Sequence, residues 1–177
     1  SDKTTEVKST LRRLGLSPRK ALGQHFLVGE EALADILEAS QIVGETVVEV
    51  GPGLGVLTKK LAERARKVVA VEIDNLLAAA LKREFANFVN LQVLCADARD
   101  VEVEGLVGQE HYKLVANLPY YAAMPILRRF LESSHPPTHV VAMCQREVAM
   151  GMVAKPGEMS LLSVAIQLYG KPKIVGI

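Results

Sequence analysis

Two short segments of this 177-residue chain carry residue types suited to group-transfer chemistry. Residues 49–55 read Glu-Val-Gly-Pro-Gly-Leu-Gly, and a second segment comprises Asn117, Leu118, Pro119 and Tyr120. A glycine-rich turn lets a ligand approach the backbone closely, and an amide beside a rigid proline can hold a planar amine. Together the two segments predict methyl transfer to a nitrogen of a base.

The second segment suits an adenine amine, a poor nucleophile because its lone pair is delocalised into the ring. Acceptors at the amine hydrogens favour the pyramidal nitrogen that attack requires. The side-chain oxygen of Asn117 and the carbonyl of Leu118, fixed ahead of Pro119, can supply two acceptors. Tyr120 can stack on the base, a contact worth about 1–3 kcal/mol. Positioning and electrostatics then dominate over general-base catalysis. The alternative for these residues is a turn that begins at the proline.

The glycine turn favours one cofactor over another. Gly51, Gly53 and Gly55 alternate, whereas a dinucleotide fingerprint needs its third glycine at position 56, where this chain has Val56. NAD is therefore disfavoured, and S-adenosylmethionine, which has no pyrophosphate, is favoured. Glu49 can either tether the ligand's ammonium group or brace the turn.

Two further acids follow predicted strands. Glu72 is a candidate acceptor for ribose hydroxyls, or else an exposed acid in a turn, with Asp74 beside it as a helix N-cap. Asp97 can accept from the adenine amine, or it can be a simple helix cap. Asp100 is interpreted as a surface acid.

The elements that must position these residues alternate between short apolar strands and amphipathic helices. This order predicts an α/β, Rossmann-like fold with a mostly parallel sheet and helices on both faces, whose ligands bind at the carboxyl ends of the strands. The predicted helices are 30–40, 54–64, 75–86 and 124–132, and the predicted strands are 46–50, 67–72, 91–95, 113–116, 139–144 and 173–177. The candidate loops are 105–111, 133–138 and 155–160.

Composition bounds the class of protein. No apolar run approaches the roughly 18 residues of a membrane span, and the first residues resemble neither a signal peptide nor a transit peptide. Cys95 and Cys144 lie in apolar segments and are predicted to be buried, reduced thiols. A cytoplasmic location is therefore expected. The four histidines are scattered, so no metal site is expected.

Charge is concentrated at the start of the chain. Residues 1–20 carry six basic and two acidic side chains, whereas the whole chain has a net charge of +1. Residues 1–22 are thus predicted to be a basic arm that contacts nucleic acid, or else a solvated leader, in front of a catalytic domain at 23–177. Candidate RNA contacts are Arg12, Arg13, Arg19, Lys20, Arg128 or Arg129, Arg146 and Lys155.

Six motifs together resemble one family, the bacterial small-subunit ribosomal RNA adenine N6-dimethyltransferases associated with kasugamycin sensitivity. They are residues 23–27 (Gly-Gln-His-Phe-Leu), 48–58, 71–74, 97–98, 117–120 and 145–149. The resemblance implies an enzyme that dimethylates two adjacent adenines in an rRNA loop, where a base leaves its stack more easily than in a duplex. It also implies that His25 and Leu27 contact S-adenosylmethionine beside Gly51, Glu72, Asp97 and Asn117.

The chain departs from the family pattern in three places. His25 stands where many members have Asn, and residues 150–152 read Met-Gly-Met where an Arg is common. The family continues with an aromatic segment and a small helical domain, so this chain is expected to be the catalytic domain. The protein is expected to be a monomer.

Two other functions stay open. Erythromycin-resistance methyltransferases of large-subunit RNA commonly carry Ser-Gly-Lys-Gly in the glycine turn and Ile in place of Leu118, so residues 51–55 of this chain argue against that function. A cofactor-binding RNA-binding or ribosome-assembly factor, or a relative of the mitochondrial transcription factors, is the alternative of another class; the intact segment 117–120 argues for catalysis.

Overall fold

A computed structural model describes residues 3–17, 30–118 and 122–143 of the chain, and these residues alternate between strands and helices. The helices are α1 (Lys3–Arg13), α2 (Glu30–Ser40), α3 (Val56–Ala62), α4 (Asn75–Glu84), α5 (Val103–Val107) and α6 (Ala123–Leu131). The strands are β1 (Thr46–Val50), β2 (Lys67–Glu72), β3 (Leu91–Cys95), β4 (Lys113–Asn117) and β5 (His139–Met143).

The five strands form one parallel sheet in the order β3-β2-β1-β4-β5. Val50 at the end of β1 lies opposite Val71 on one side and Ala116 on the other. The chain winds outward from β1 to β3 and then crosses back to β4, so the direction of winding reverses between β1 and β4. Open α/β sheets bind ligands at such a switch point.

Helices cover both faces of the sheet, as the sequence predicts. Side chains two positions apart on a strand share a face, so Val47 and Val115 pack with the helices α2 and α3 on one side. Val48 and Leu114 pack with α5 and α6 on the other, around the fully buried ring of Phe130. The predicted Rossmann-like α/β fold is confirmed.

The start of the predicted basic arm is a packed helix. Leu11 and Leu14 on or just after α1 are 1% and 4% exposed and pack with Phe85 at the end of α4. Arg13 forms an ion pair with Glu84. The arm therefore begins as an amphipathic helix docked on the domain, and residues 18–22 lie outside the described part of the chain.

Three local predictions need correction. The helix predicted at 54–64 is shorter (Val56–Ala62), because the glycine turn occupies the preceding residues. The loop predicted at 105–111 overlaps α5, which the short buried pattern of Val103, Leu106 and Val107 stabilises.

The third correction concerns Cys95, whose thiol is exposed because β3 is an edge strand. Its sulfur lies 2.8 Å from Oδ1 of Asn75. Cys144 and the elements predicted at 155–160 and 173–177 lie outside the described residues. Among the helices that the structure describes, none has the length and apolar character needed to cross a membrane.

Candidate active site

Polar side chains line the carboxyl edge of the sheet in the order in which the strands lie. Asp97 follows β3, Glu72 ends β2, Glu49 is the penultimate residue of β1, and Asn117 ends β4. Glu49 lies opposite Ala70 and Val115, two residues before Glu72 and Asn117 respectively. The pleat therefore directs these three side chains to one face of the sheet. The sequence predicted their position at the ends of apolar strands.

Gly51, directly after β1, contacts the neighbouring strands on both sides, β2 and β4. It has a left-handed backbone with φ of 74°, and its N–H donates to the carbonyl of Val71 at 3.1 Å. A Cβ atom at this position would lie 2.5 Å from the backbone oxygen of Asn117. Only glycine allows the turn to lie against the end of β4, and this contact brings the two motif segments together.

Gly55 has a different function in the same turn. Its N–H donates to the carbonyl of Pro52 at 2.9 Å, and its φ is 85°. A Cβ atom here would lie 2.6 Å from the ring of Phe85 and 2.9 Å from the side chain of Leu81. This third glycine allows α4 to pack closely on the start of α3.

Glu49 braces the turn. Its side chain is 2% exposed, and its Oε2 accepts a hydrogen bond from Oγ1 of the fully buried Thr58 on α3 at 2.7 Å. Burial raises the pKa of Glu49 to about 7, the Thr58 hydrogen bond opposes the rise, and the nearby Glu72 adds to it. Of the two roles predicted for Glu49, the structure shows the bracing one.

Glu72 is tied to the same turn. It is 6% exposed, and its Oε2 accepts from the backbone N–H of Asp74 at 2.9 Å. Burial raises its pKa, while hydrogen bonds from the backbone of Asp74, Ile73 and Gly53 oppose the rise. Asp74 is the N-cap of α4, as predicted, and accepts from two backbone N–H groups in the first turn.

Asp97 is more open and carries a strong partner. Its Oδ1 accepts from the backbone N–H of Arg99, and the Arg99 guanidinium forms an ion pair with both carboxylate oxygens. These hydrogen bonds hold the pKa of Asp97 below its ordinary value. Asp100 is exposed, as expected.

Asn117 is half-buried at the end of β4. The next residue, Leu118, is 3% exposed, and its N–H donates to the carbonyl of Met143 at 2.8 Å. This bond fixes the backbone immediately before Pro119. Pro119 and Tyr120 lie outside the described residues, as do His25 and Leu27.

The candidate RNA contacts lie on several surfaces. Arg12 is exposed on α1 beside the ion-paired Arg13. Arg128 and Arg129 are exposed on α6, where Arg128 pairs with Glu132 and Arg129 donates to the carbonyl of Val101 at 2.6 Å. Four candidates lie outside the described residues: Arg19, Lys20, Arg146 and Lys155.

Two residues of the site escaped the sequence analysis. Thr58 and Arg99 are the partners of Glu49 and Asp97, and neither was predicted to have a function. For Thr58 only the packing of α3 on the sheet could reveal the contact. For Arg99 the spacing of two residues from Asp97 was a signal that could have been used.

Comparison with known proteins supplies the family. The model of the family described as ribosomal RNA adenine dimethylase matches residues 15–177. The chain belongs to this family. The family match covers the glycine turn, the acids that follow β2 and β3, and the segment that begins at Asn117, so the predicted resemblance is confirmed.

Curated relatives agree with the family match. The chain is 44% identical over 174 residues to the ribosomal RNA small subunit methyltransferase A of Dehalococcoides mccartyi, covering 97% of this chain and 60% of that protein. It is 43% identical over 177 residues to the protein of the same name from Moorella thermoacetica, covering 93% and 62%. The chain thus spans about three fifths of the length of these relatives.

Solved structures show the same architecture. A crystal structure of a dimethyladenosine transferase from Plasmodium falciparum matches with a TM-score of 0.71 and 28% identity, covering 81% of this chain and 52% of that one. The 23S rRNA methyltransferase ErmE matches with a TM-score of 0.67 and 32% identity, covering 79% and 56%. The large-subunit enzyme is therefore a structural relative.

Proposed function

We propose that this chain is the catalytic part of an enzyme that transfers methyl groups from S-adenosylmethionine to the N6 amines of two adjacent adenines in a loop of small-subunit rRNA. Its substrate partner is the rRNA or a small-subunit precursor particle, and it acts in the cytoplasm as a monomer. Family membership and the names of the curated relatives support the reaction class and the substrate.

The observation that carries the proposal is the close approach of Gly51 to Asn117. The backbone oxygen of Asn117 lies only 2.5 Å from the position that a Cβ atom on Gly51 would occupy. The turn expected to hold the methyl donor and the amide expected to hold the methyl acceptor are therefore neighbours at the switch point of the sheet.

The residues at this edge fit S-adenosylmethionine. The Glu72 carboxylate ends β2, the position from which an acid accepts from ribose hydroxyls in these sheets. Asp97 follows the neighbouring strand and offers an acceptor for the exocyclic amine of adenine. Gly51 and Gly53, both left-handed, have no side chain that could obstruct a ligand beside Glu72. When bound, the cofactor supplies a methyl group on an electrophilic sulfonium.

The chain's own residues then bind and orient the target amine. The side-chain oxygen of Asn117 accepts from one amine hydrogen, and the carbonyl of Leu118 accepts from the other. The hydrogen bond from the Leu118 N–H to Met143 holds this backbone in place before the amine arrives. In the proposal Pro119 stiffens the segment and Tyr120 stacks on the base.

The experiment measures single-turnover methylation by the full-length protein on small-subunit particles, naked small-subunit rRNA and large-subunit rRNA. We expect dimethyladenosine in small-subunit RNA, and an Asn117→Ala rate that is about 10² to 10³ times lower, as for the loss of one preorganised polar group. S-adenosylmethionine affinity measured in parallel separates this effect from loss of cofactor. Methylation confined to large-subunit RNA would instead support the erythromycin-resistance type, and cofactor binding without any methylation would support an assembly factor.

A further inference from the structure

Both oxygens of the Asp97 carboxylate are hydrogen-bonded to one neighbouring residue, Arg99. Its Oδ1 lies 2.9 Å from the backbone nitrogen and 3.0 Å from Nε of Arg99. Its Oδ2 lies 3.1 Å from the same Nε and 2.6 Å from Nη2. These contacts come from three N–H groups, because the single Nε–H of Arg99 is shared between Oδ1 and Oδ2. A carboxylate offers about four lone-pair sites, so donors of Arg99 face each oxygen of Asp97 from two directions.

The turn that carries both residues is anchored to the sheet. The N–H of Ala96 donates to the carbonyl of Glu72 at 3.0 Å, and the side chain of Ala98 is 5% exposed. With Ala98 buried between them, Asp97 and Arg99 both project from the edge of the site. The pair is not sealed in the core, since the two side chains are 24% and 42% exposed, and it can therefore open and re-form.

This geometry creates a competition at the position that recognises adenine. An exocyclic amine that donates to Asp97 competes with the Arg99 N–H groups that already face both carboxylate oxygens. A purine with an oxygen at the same ring position does not require an acceptor from Asp97, because the guanidinium of Arg99 can donate to that oxygen.

We propose that Arg99 sets the strength and the selectivity of adenine recognition, by competing with the adenine amine for Asp97 and by providing a donor to 6-oxo purines. The inference rests on the proposed function, in which Asp97 accepts from the adenine amine. Arg99 is thus a specificity-determining residue for the nucleoside part of the cofactor.

The test measures binding of S-adenosylhomocysteine and of its 6-oxo analogue, S-inosylhomocysteine, to the full-length protein by titration calorimetry. We expect Arg99→Leu to bind S-adenosylhomocysteine about two to five times more tightly than the wild type, the range of an exposed ion pair. The preference for the adenine ligand over its 6-oxo analogue should rise in the same variant.

Three controls make the result specific. Arg83→Leu removes one positive charge from the last turn of α4, at the far end of that helix from Asp74, and should leave both affinities unchanged. In an Asp97→Asn background, Arg99→Leu should give no tighter binding, because the competition needs the carboxylate. Raising the salt concentration should narrow the difference between Arg99→Leu and the wild type.

The outcomes separate the inference from the proposed function. If Asp97→Asn and Glu72→Ala weaken S-adenosylhomocysteine binding but Arg99→Leu leaves it unchanged or weaker, the role of Arg99 is refuted and the cofactor site stands. If the wild type does not bind the ligand, or binds it equally well without Asp97, both the inference and the assignment of the site are wrong.

Discussion

Replacing Glu49 by glutamine should stabilise the protein at neutral and alkaline pH. The Glu49 carboxyl is 2% exposed, and its pKa in the folded protein is about 7 instead of 4.5, chiefly because of burial. Between these two values the folded state binds more protons than the unfolded state. The free energy of unfolding therefore falls as pH rises through this window, and the loss is complete above it.

The size of the effect follows from the same two values. The difference between 4.5 and about 7, at about 1.4 kcal/mol per pH unit, corresponds to a loss of roughly 3 kcal/mol of stability. Glutamine is a neutral substitute whose amide oxygen can still accept from the Thr58 hydroxyl. We expect Glu49→Gln to match the wild type at pH 5 and to exceed it by about 2–3 kcal/mol at pH 8.5.

Urea unfolding followed by circular dichroism between pH 5 and pH 8.5 measures this directly. Glu63→Gln, which replaces an exposed carboxylate at the end of α3, is the matched control and should change stability by less than about 0.5 kcal/mol. The free energy of unfolding of Glu49→Gln should still fall as pH rises, but less steeply than that of the wild type, because the pKa of Glu72 is raised as well. A Glu49→Gln variant less stable than the wild type at pH 8.5 would show that the buried charge of Glu49 does not destabilise the folded protein.

Three other predictions test the packing and the chemistry of the site. Gly51→Ala should cost more than about 2 kcal/mol of stability, since a left-handed non-glycine residue costs 1–2 kcal/mol before the clash with the Asn117 carbonyl is counted; an unchanged urea midpoint would contradict the close approach. Leu11→Ala should lose about 2 kcal/mol or undock α1, as for other buried leucines, whereas exposed Arg12→Ala should not; equal effects would show that α1 is not packed. Glu72→Ala should weaken S-adenosylmethionine binding by about 1.5–3 kcal/mol, as for a lost charged hydrogen bond, and calorimetry showing unchanged affinity in a folded variant would remove Glu72 from the site.

The length of the chain gives one more expectation. Because it spans about three fifths of its curated relatives, we expect residues 1–177 alone to bind S-adenosylmethionine but to methylate small-subunit particles poorly. We expect the few phosphate contacts available to α1 and the other basic side chains to give only weak, salt-sensitive RNA affinity. Filter binding at several salt concentrations and the methylation assay described above measure both properties. Methylation by residues 1–177 at the rate of the full-length protein would show that these residues suffice for the reaction.

The sequence by itself determined the fold and the residues at the carboxyl edge of the sheet. Three strand predictions coincide with the observed bounds, at β1, β2 and β3, and the predictions for β4 and β5 begin at the observed residue. They match because parallel strands are short apolar runs that end where polarity returns. The placement of Glu49, Glu72 and Asn117 followed from the same periodicity.

Only the tertiary structure decided which atoms meet. The contact of Gly51 with Asn117 depends on β1 and β4 being neighbours, although they lie far apart in sequence. The hydrogen bond of Thr58 to Glu49 depends on how α3 packs, and the exposure of Cys95 depends on β3 being at the sheet edge. Periodicity reports which face of an element is buried, whereas partners across the sheet are set by strand order and helix packing. Those arise from many weak contacts that no local pattern encodes.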